Sequence, residues 1–236
     1  MAKNTQAAAS QGWTPSFSAS SLSSEVPTLA TGVYAGRLTN VTITGKENKQ
    51  YFQIRKSQQW NKAAKVFEDV VIDGEVQYEI TGMIMIQGIL TSKKAQQVLG
   101  RDEPGFFRMI NISFTKDMQA DESRNQQLAN FLSVLGLDKE PFETYVNFEF
   151  DSEITVPSEL AEIPNIVNML NALNYYKELF NIICNSCKDQ NVRVHIERVT
   201  DKVSGEVTNE VAGGRFSTSC GFLSYEEGCE NDVVEE

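Results

Sequence analysis

The feature that most constrains the fold is a series of apolar, β-branched runs between residues 32 and 115. The period is clearest near the end of this region, where every second residue falls on one mostly apolar face: Phe106, Arg108, Ile110, Ile112 and Phe114. Short glycine-containing or charged turns such as Asp73-Gly74 separate the runs. This pattern is typical of half-buried strands, so we expect a β-rich core.

The first half of the chain is predicted to hold several strands and one short helix. A hairpin is expected in which the strand Gly32 to Ile43 pairs with Tyr51 to Arg55 across a basic loop. A β region from Val66 to Ile72 turns and continues from Val76 through Ile89, with Gly82 and Gly88 as candidate kinks or bulges. The helix, Thr91 to Gly100, has a hydroxyl N-cap and a glycine at its end.

The second half of the chain is predicted to be mixed. Apolar residues at three-and-four spacing indicate two helices, Ser123 to Leu135 and Ile166 to Cys184. A strand is expected from Tyr145 to Phe150, and a hairpin is expected to join Val192–Val199 to Glu206–Ala212.

These elements predict an α+β, β-rich fold. The arrangement expected is an OB-like (oligonucleotide-binding) five-stranded Greek-key barrel elaborated with two or three helices, with residues 91 to 100 as the helix between the third and fourth strands. Either 145–150 or 192–199 would supply the fifth strand. A β-sandwich and a less regular α+β layout are the alternatives. We expect one domain over residues 31 to 224, with a helical insertion at about 123 to 188.

Both ends of the chain are predicted to lie outside this domain. Residues 1 to 30 are rich in Ser, Ala and Thr and indicate a disordered arm whose only aromatic residues are Trp13 and Phe17. Residues 225 to 236 form an acidic tail that cannot bury enough surface to order itself. Its carboxylates are a candidate handle for partner proteins, with a purely solubilising role as the alternative: Glu226, Glu227, Glu230, Asp232, Glu235 and Glu236.

The formal net charge of −11 is unevenly distributed along the chain. Between positions 37 and 65 there are seven basic residues and one acidic residue, interleaved with aromatic residues. Binding of single strands requires cations that follow the phosphates and aromatic faces on which bases stack. This stretch, extended by two lysines of the short helix, is therefore the predicted nucleic-acid site: Arg37, Lys46, Lys49, Tyr51, Phe52, Arg55, Lys56, Trp60, Lys62, Lys65, Lys93 and Lys94. The alternative is a solvated loop face, with Tyr51 or Phe52 in the core.

The sequence carries no recognisable catalytic or metal-binding motif, so we expect neither an enzyme nor a cofactor. It lacks a glycine-rich phosphate loop and a Gly-x-Ser-x-Gly elbow, and His195 is its only histidine. Cys184 and Cys187 have the spacing of a zinc knuckle, but Cys220 and Cys229 do not form a matching pair, so no metal is expected. No apolar run suits a membrane span or an export signal. We expect a cytoplasmic protein, in the host cell cytoplasm if the chain is viral.

The combination of a basic, aromatic, barrel-like first half and an acidic C-terminal tail resembles bacteriophage replicative single-stranded-DNA-binding proteins. The resemblance covers residues 32 to 115 and 225 to 236. It implies a non-enzymatic protein that protects single-stranded DNA in replication, recombination or repair. It also implies that the tail recruits polymerase, helicase or primase, although this tail ends Val233-Val234-Glu235-Glu236 where many such tails end in an aromatic residue. The oligomeric state is left open, and the rival interpretation is a virion structural or assembly protein without nucleic-acid binding.

Overall fold

The structure is a computed structural model that describes residues 27–43, 52–115, 122–137, 150–214 and 217–231. The strands are β1 Gly32–Thr42, β2 Gln53–Lys56, β3 Gln58–Asn61, β4 Val66–Asp69, β5 Val71–Ile72, β6 Glu75–Val76, β7 Tyr78–Leu90, β8 Gly105–Thr115, β9 Asn191–Thr200, β10 Val207–Val211 and β11 Phe222–Ser224. The helices are α1 Lys93–Leu99, α2 Glu122–Val134 and α3 Ile166–Cys187, with 3₁₀ turns at Ser158–Leu160 and Cys229–Asn231. The protein is therefore α+β and strand-rich, as the sequence predicted.

The main sheet is antiparallel and is built around the long strand β7. One edge of β7 pairs with β8 along its whole length, and the other edge pairs first with β2 and then with β1. The opposite edge of β1 pairs with β9, whose far edge carries both β10 and β11. The edge strands β8 and β10 approach each other, so the sheet curls toward closure.

The predicted hairpin of residues 32–43 with 51–55 is wrong. Strands β1 and β2 do not pair with each other; they lie end to end along β7, where Thr42 is opposite Met85 and Gln53 is opposite Thr81. Alternation identified both strands correctly, but it carries no information about which strand is the partner. The short helix α1 lies between the long strand β7 and the strand β8, where the sequence predicted it, and these two strands are antiparallel neighbours in the sheet.

The two glycines of β7 serve packing and do not mark bulges. A Cβ atom at Gly82 would lie 2.6 Å from the Phe52 ring, and one at Gly88 would lie 2.2 Å from the Phe106 ring. The irregularity in register lies on the neighbouring strand, between Leu38 and Asn40 of β1. Glycine is therefore required in β7 because aromatic rings of the core rest directly on its backbone.

The long helix α3 covers the sheet, as its apolar spacing predicted. It packs against β1 and β2, and Phe180 contacts Phe52 with ring centroids 5.4 Å apart. Tyr176 stacks on Phe114 of β8, with centroids 3.7 Å apart and planes at 7°. Burial raises the pKa of Tyr176 to about 12. Although α3 is 22 residues long, no helix in the described residues has the length and apolar character that crossing a membrane requires.

Helix α2 packs across β8 and β11, at the place where the sheet curls. Its Asn125 side chain accepts a hydrogen bond from the Ser113 backbone N–H at 3.0 Å and donates one to the Ser113 carbonyl at 2.8 Å. The amide thereby takes the place that a neighbouring strand would occupy. At the start of α1 the predicted hydroxyl cap is Ser92, whose Oγ accepts from the Ala95 N–H, and Gly100 ends the helix in a left-handed conformation.

Candidate nucleic-acid interface

Two short hairpins branch from the end of the β2–β7 ladder. The branch is held by three backbone hydrogen bonds: Ser57 N–H to the Gln77 carbonyl at 2.8 Å, Val70 N–H to the Ser57 carbonyl at 2.9 Å, and Gln77 N–H to the Val70 carbonyl at 2.9 Å. The hairpin formed by β3 and β4, residues 58 to 69, is called the hairpin arm below. The second hairpin, β5–β6, turns at Asp73-Gly74 as predicted. The predicted β region from Val66 to Ile72 is therefore divided between the two hairpins.

The hairpin arm carries an exposed aromatic pair. Trp60 lies directly opposite Phe67 across the two strands. The exposed fractions of Trp60 and Phe67 are 50% and 56%, large values for aromatic residues in strands. Trp60 was a predicted stacking residue and is accessible for that role. Phe67 was not predicted, although its cross-strand position relative to Trp60 follows once the turn between them is known.

The turn of the hairpin arm carries two exposed lysines. Asn61 holds this turn, because its Oδ1 accepts hydrogen bonds from the N–H groups of Ala63 and Ala64. Lys62 and Lys65 follow in the turn, and neither side chain forms an ion pair within the described ranges. Two predicted cations thus lie at the end of the same hairpin as the aromatic pair.

Two other predicted cations are already paired with carboxylates. Arg55 Nε lies 3.3 Å from the carboxylate of the buried Glu79, which also accepts a 3.0 Å hydrogen bond from the Ser113 hydroxyl. Lys56 Nζ lies 3.0 Å from Asp69. A hydrogen bond from Gln58 and another from Lys56 lower the pKa of Asp69. Both cations therefore stabilise the base of the arm, and a phosphate would have to compete for them.

The predicted stacking role of Phe52 is wrong, because this residue belongs to the core. Its side chain is 3% exposed and lies between Gly82 and Phe180, so no base can reach its ring. The other aromatic candidate, Tyr51, lies outside the described residues together with Lys46 and Lys49. The sequence implied that alternation could bury at most one of Tyr51 and Phe52, but it could not decide between them.

A second apolar surface lies on the outer face of the sheet and was not predicted. Phe107 and Met109 of β8 are 46% and 42% exposed, and they lie opposite Gln87 and Met85 of β7. Arg37, which is exposed, lies on the same face because it is opposite Ile89, two residues along β7 from Gln87. The prediction for β8 placed the apolar face in the core correctly, but it gave no weight to apolar residues at the alternate positions.

The start of the acidic tail lies against the folded domain. The Glu226 carboxylate forms a 2.5 Å ion pair with Arg193 Nη2, and the turn Cys229–Asn231 packs against β1 and α1. Tyr225 donates its hydroxyl to Glu230, and this hydrogen bond is the main reason that the pKa of Glu230 is lowered; Lys93 on α1 contributes further. The sequence predicted a detached tail from position 225, whereas these residues contact the domain.

Some of the other predicted site residues in the tail and in α1 lie within the described residues, and some do not. Glu227 is exposed beside Glu226, while Asp232, Glu235 and Glu236 lie outside the described residues. Lys93 and Lys94 are exposed in the first turn of α1, as expected. Lys93 interacts electrostatically with the carboxylate of Glu230 and thereby helps to lower its pKa.

The cysteines offer little nucleophilic chemistry. Cys184 and Cys187 are buried against the sheet, and burial raises the pKa of each thiol to about 12. Burial also raises the pKa of Cys220. Across the described part of the chain, no three His, Cys, Asp or Glu side chains are grouped in a way that could hold a metal ion.

Comparison with known protein families finds no family that matches this chain, and comparison with curated proteins finds no significant match. The arguments for function therefore rest on the surface described above.

Proposed function

We propose that the protein binds single-stranded DNA without sequence preference and acts in replication, recombination or repair in the manner of phage replicative single-stranded-DNA-binding proteins. The observation that carries this proposal is the hairpin arm, in which Trp60 and Phe67 are half exposed and Lys62 and Lys65 end the same hairpin. Exposed aromatic rings beside unpaired cations are the combination that stacks bases and follows a phosphate backbone.

The order of the strands supports an OB-like barrel. When β1 and β2 count as one interrupted strand, and β10 and β11 as another, the five strands in chain order lie across the sheet as third, second, first, fourth and fifth. Helices α2 and α3 fall between the third and fourth strands. In OB-type barrels a helix occupies this connection, and oligonucleotides bind on the face of the second and third strands and on the loop between the first and second.

The exposed surfaces lie where such a barrel would bind its ligand. The hairpin arm belongs to the connection between β1 and β7, and the exposed Phe107 and Met109 lie on the outer face of β8. Arg37 adds a cation to that face. Each stacked base is worth about 1 to 3 kcal/mol, so two or three such contacts supply a large part of the affinity for a single strand.

The acidic tail supports a role in recruiting partners. Only its first carboxylates are engaged with the domain in the described residues, through Glu226 with Arg193 and Glu230 with Tyr225. Four further carboxylates, Glu227, Asp232, Glu235 and Glu236, are present in the same segment. Such a segment offers charge to basic surfaces of polymerase, helicase or primase.

The proposal is tested by fluorescence anisotropy with a labelled poly-dT oligonucleotide at two salt concentrations. We expect binding that weakens as salt rises, because each neutralised phosphate releases counterions. The double variant Trp60→Ala with Phe67→Ala should bind weakly. Phe150→Ala is the matched control, since Phe150 is an aromatic residue of similar exposure, 58%, outside the arm. No binding by the unaltered protein at low salt would refute the proposal and favour a structural or assembly role.

A further inference from the structure

Strand β8 has an open edge on the side that faces away from β7. The two strands pair in an uninterrupted register over the whole length of β8. In an antiparallel sheet the N–H and C=O of one residue point to the same side, and successive residues alternate between the two sides. The backbone of Ser113 bonds to Asn125 of α2 and therefore points away from β7. The backbones of Phe107, Met109 and Asn111 point the same way.

These three residues leave a donor and an acceptor each without a partner. Among the described residues, no hydrogen bond reaches the outward N–H or C=O of Phe107, Met109 or Asn111. Proteins usually cover an edge of this kind, because its backbone groups readily pair with another molecule. A ligand at this edge can therefore gain hydrogen bonds without breaking any within the protein.

A cleft runs along the open edge, between β8 and β10. Its volume of about 890 Å³ is in the range of pockets that hold small molecules, about 300 to 1,000 Å³. Phe107 and Met109 line it on one side, and Asn209 lines it on the other. Two charged residues line it within the described part of the chain, Arg108 and Glu210, and their charges are opposite. The cleft is therefore better suited to a neutral polar group than to a phosphate.

Two contacts elsewhere in the protein show which chemical group fits such a backbone edge. The side-chain amide of Asn125 accepts from the Ser113 N–H at 3.0 Å and donates to the Ser113 carbonyl at 2.8 Å. The side-chain amide of Asn209 pairs with Leu29 in the same way, at 2.7 Å and 3.0 Å. In both cases the O=C–N–H edge of one planar amide satisfies both backbone groups of a single residue. A ligand with the same edge would complete a residue of β8.

Thymine and guanine carry this edge. Thymine O4 and N3–H, like guanine O6 and N1–H, have the O=C–N–H atom order of a side-chain amide. We propose that one thymine or guanine of a bound single strand enters the cleft and pairs at two points with the backbone of Phe107, Met109 or Asn111. The base oxygen accepts from the backbone N–H, and the base N–H donates to the backbone carbonyl.

This inference rests on the proposed function and adds a second kind of contact to it. The hairpin arm offers ring faces on which bases stack, whereas the cleft offers hydrogen bonds to the edge of one base. The exposed side chains of Phe107 and Met109 lie beside the cleft on the outer face of the sheet, where neighbouring nucleotides would lie. A strand of mixed sequence holds thymine or guanine at many positions, so binding of single strands in general is retained.

The test compares poly-dT with an oligomer of the same length built from N3-methylthymidine. The two oligomers have equal charge and both can stack, but the methyl group replaces the hydrogen that thymine N3 donates. Fluorescence anisotropy should show about 5- to 150-fold weaker binding of the methylated oligomer, the effect of losing a two-point pair with a base edge.

NMR spectra of the backbone amides locate the contact. With poly-dT, the amide proton of at least one of Phe107, Met109 and Asn111 should shift downfield, because it acquires an acceptor. The methylated oligomer should not produce this shift. The amides of Phe106 and Arg108 are internal controls, since they point to β7 and already have partners there.

The outcomes separate this inference from the proposed function. Equal affinity for the two oligomers, or poly-dT binding that leaves all three amides unshifted, would refute the pairing in the cleft and leave the proposed function standing. Weaker binding of the methylated oligomer with shifts confined to the hairpin arm would also refute it, because thymine N3 would then contact the arm. No binding of poly-dT at low salt would overturn the proposed function and this inference together.

Discussion

Trp60 and Phe67 meet edge to face on the hairpin arm, with ring centroids 5.0 Å apart and planes at 61°. This geometry is the one aromatic pairs favour, and it is worth about 0.5 to 1.5 kcal/mol beyond burial. The pair contributes to the stability of the arm while half of each side chain stays in solvent. The arm therefore presents a preformed aromatic surface, so stacking of a base would require little loss of side-chain conformational entropy.

Replacing Trp60 by Ala should weaken poly-dT binding by about 1 to 3 kcal/mol, the contribution of one stacked base. The fold should be retained, because Trp60 lies outside the core. Anisotropy titration measures the first effect and circular dichroism the second. Phe52→Ala is the contrasting variant, since removing a buried Phe costs about 3 to 5 kcal/mol of folding free energy. Normal binding by Trp60→Ala would exclude the stacking role.

Replacing Lys62 or Lys65 by Ala should lower the salt dependence of binding. For single strands the slope of log K against log salt falls by about 0.7 for each phosphate contact removed. Titrations at four salt concentrations measure the slope. Lys188, exposed beyond the end of α3, provides a matched control whose replacement should leave the slope unchanged. An unchanged slope in both variants would show that the DNA phosphates contact residues other than Lys62 and Lys65.

Deleting Glu226 to Glu236 should tighten poly-dT binding at low salt. The six carboxylates removed are tethered near the basic surface, where they compete with DNA at high effective concentration. The gain should shrink as the Debye length falls from about 10 Å at 0.1 M salt to about 3 Å at 1 M. If the deletion leaves the affinity for poly-dT unchanged at every salt concentration, the tail does not compete with DNA.

The same deletion should leave a cooperative thermal transition. A separate variant, Glu226→Gln, removes the ion pair with Arg193 while keeping the turn Cys229–Asn231. Loss of the transition on deletion, but not in Glu226→Gln, would show that the contacts of this turn are essential to the fold.

The buried thiols should resist modification and make the fold sensitive to alkali. The pKa of Cys184 is about 12 in the folded protein and near its ordinary value of 9 when unfolded. The folded state therefore holds a proton that the unfolded state loses, so stability should fall as pH rises above about 9. In labelling with a thiol-specific disulfide reagent at pH 8, Cys229 should react first, because it is only partly buried. Rapid labelling of Cys184 would contradict this.

Replacing Gly88 by Ala should destabilise the protein. The new Cβ would lie 2.2 Å from the Phe106 ring and 2.5 Å from the Arg37 carbonyl, so the strands or the ring must move. Overpacking of this kind costs about 1 to 3 kcal/mol, measurable by urea denaturation. Gly214→Ala is the control, because nothing lies within 4 Å of a Cβ there. Equal stability of the two variants would show that β7 accommodates the added methyl group without loss of folding free energy.

The sequence predicted individual elements far better than their partners. The helices α1 and α3, strand β8 and the β9–β10 hairpin were recovered because each depends on local periodicity and capping. The end-to-end placement of β1 and β2 depends on residues of β7 that lie far along the chain, and no local pattern encodes it.

The candidate site was predicted only in part, because local composition identifies exposed residues but not their neighbours in the fold. Trp60, Lys62 and Lys65 were recognised from composition and are exposed together. Phe52 was misassigned, because a basic stretch gives no sign that one of its aromatic rings rests on Gly82. Phe107 and Met109 were missed because the apolar face of β8 is recognised from alternate residues, and these two occupy the other face.

The pairing of β1 with β9 joins residues near position 32 to residues near position 196. During synthesis, about 150 residues must be added after β1 is complete before its second partner, β9, exists, which takes roughly 8 to 30 s at common elongation rates. Throughout that interval the edge of β1 that pairs with β9 in the finished sheet lacks this partner. Slower translation between Thr42 and Asn191 should therefore lengthen the interval in which the edge of β1 can pair with another chain.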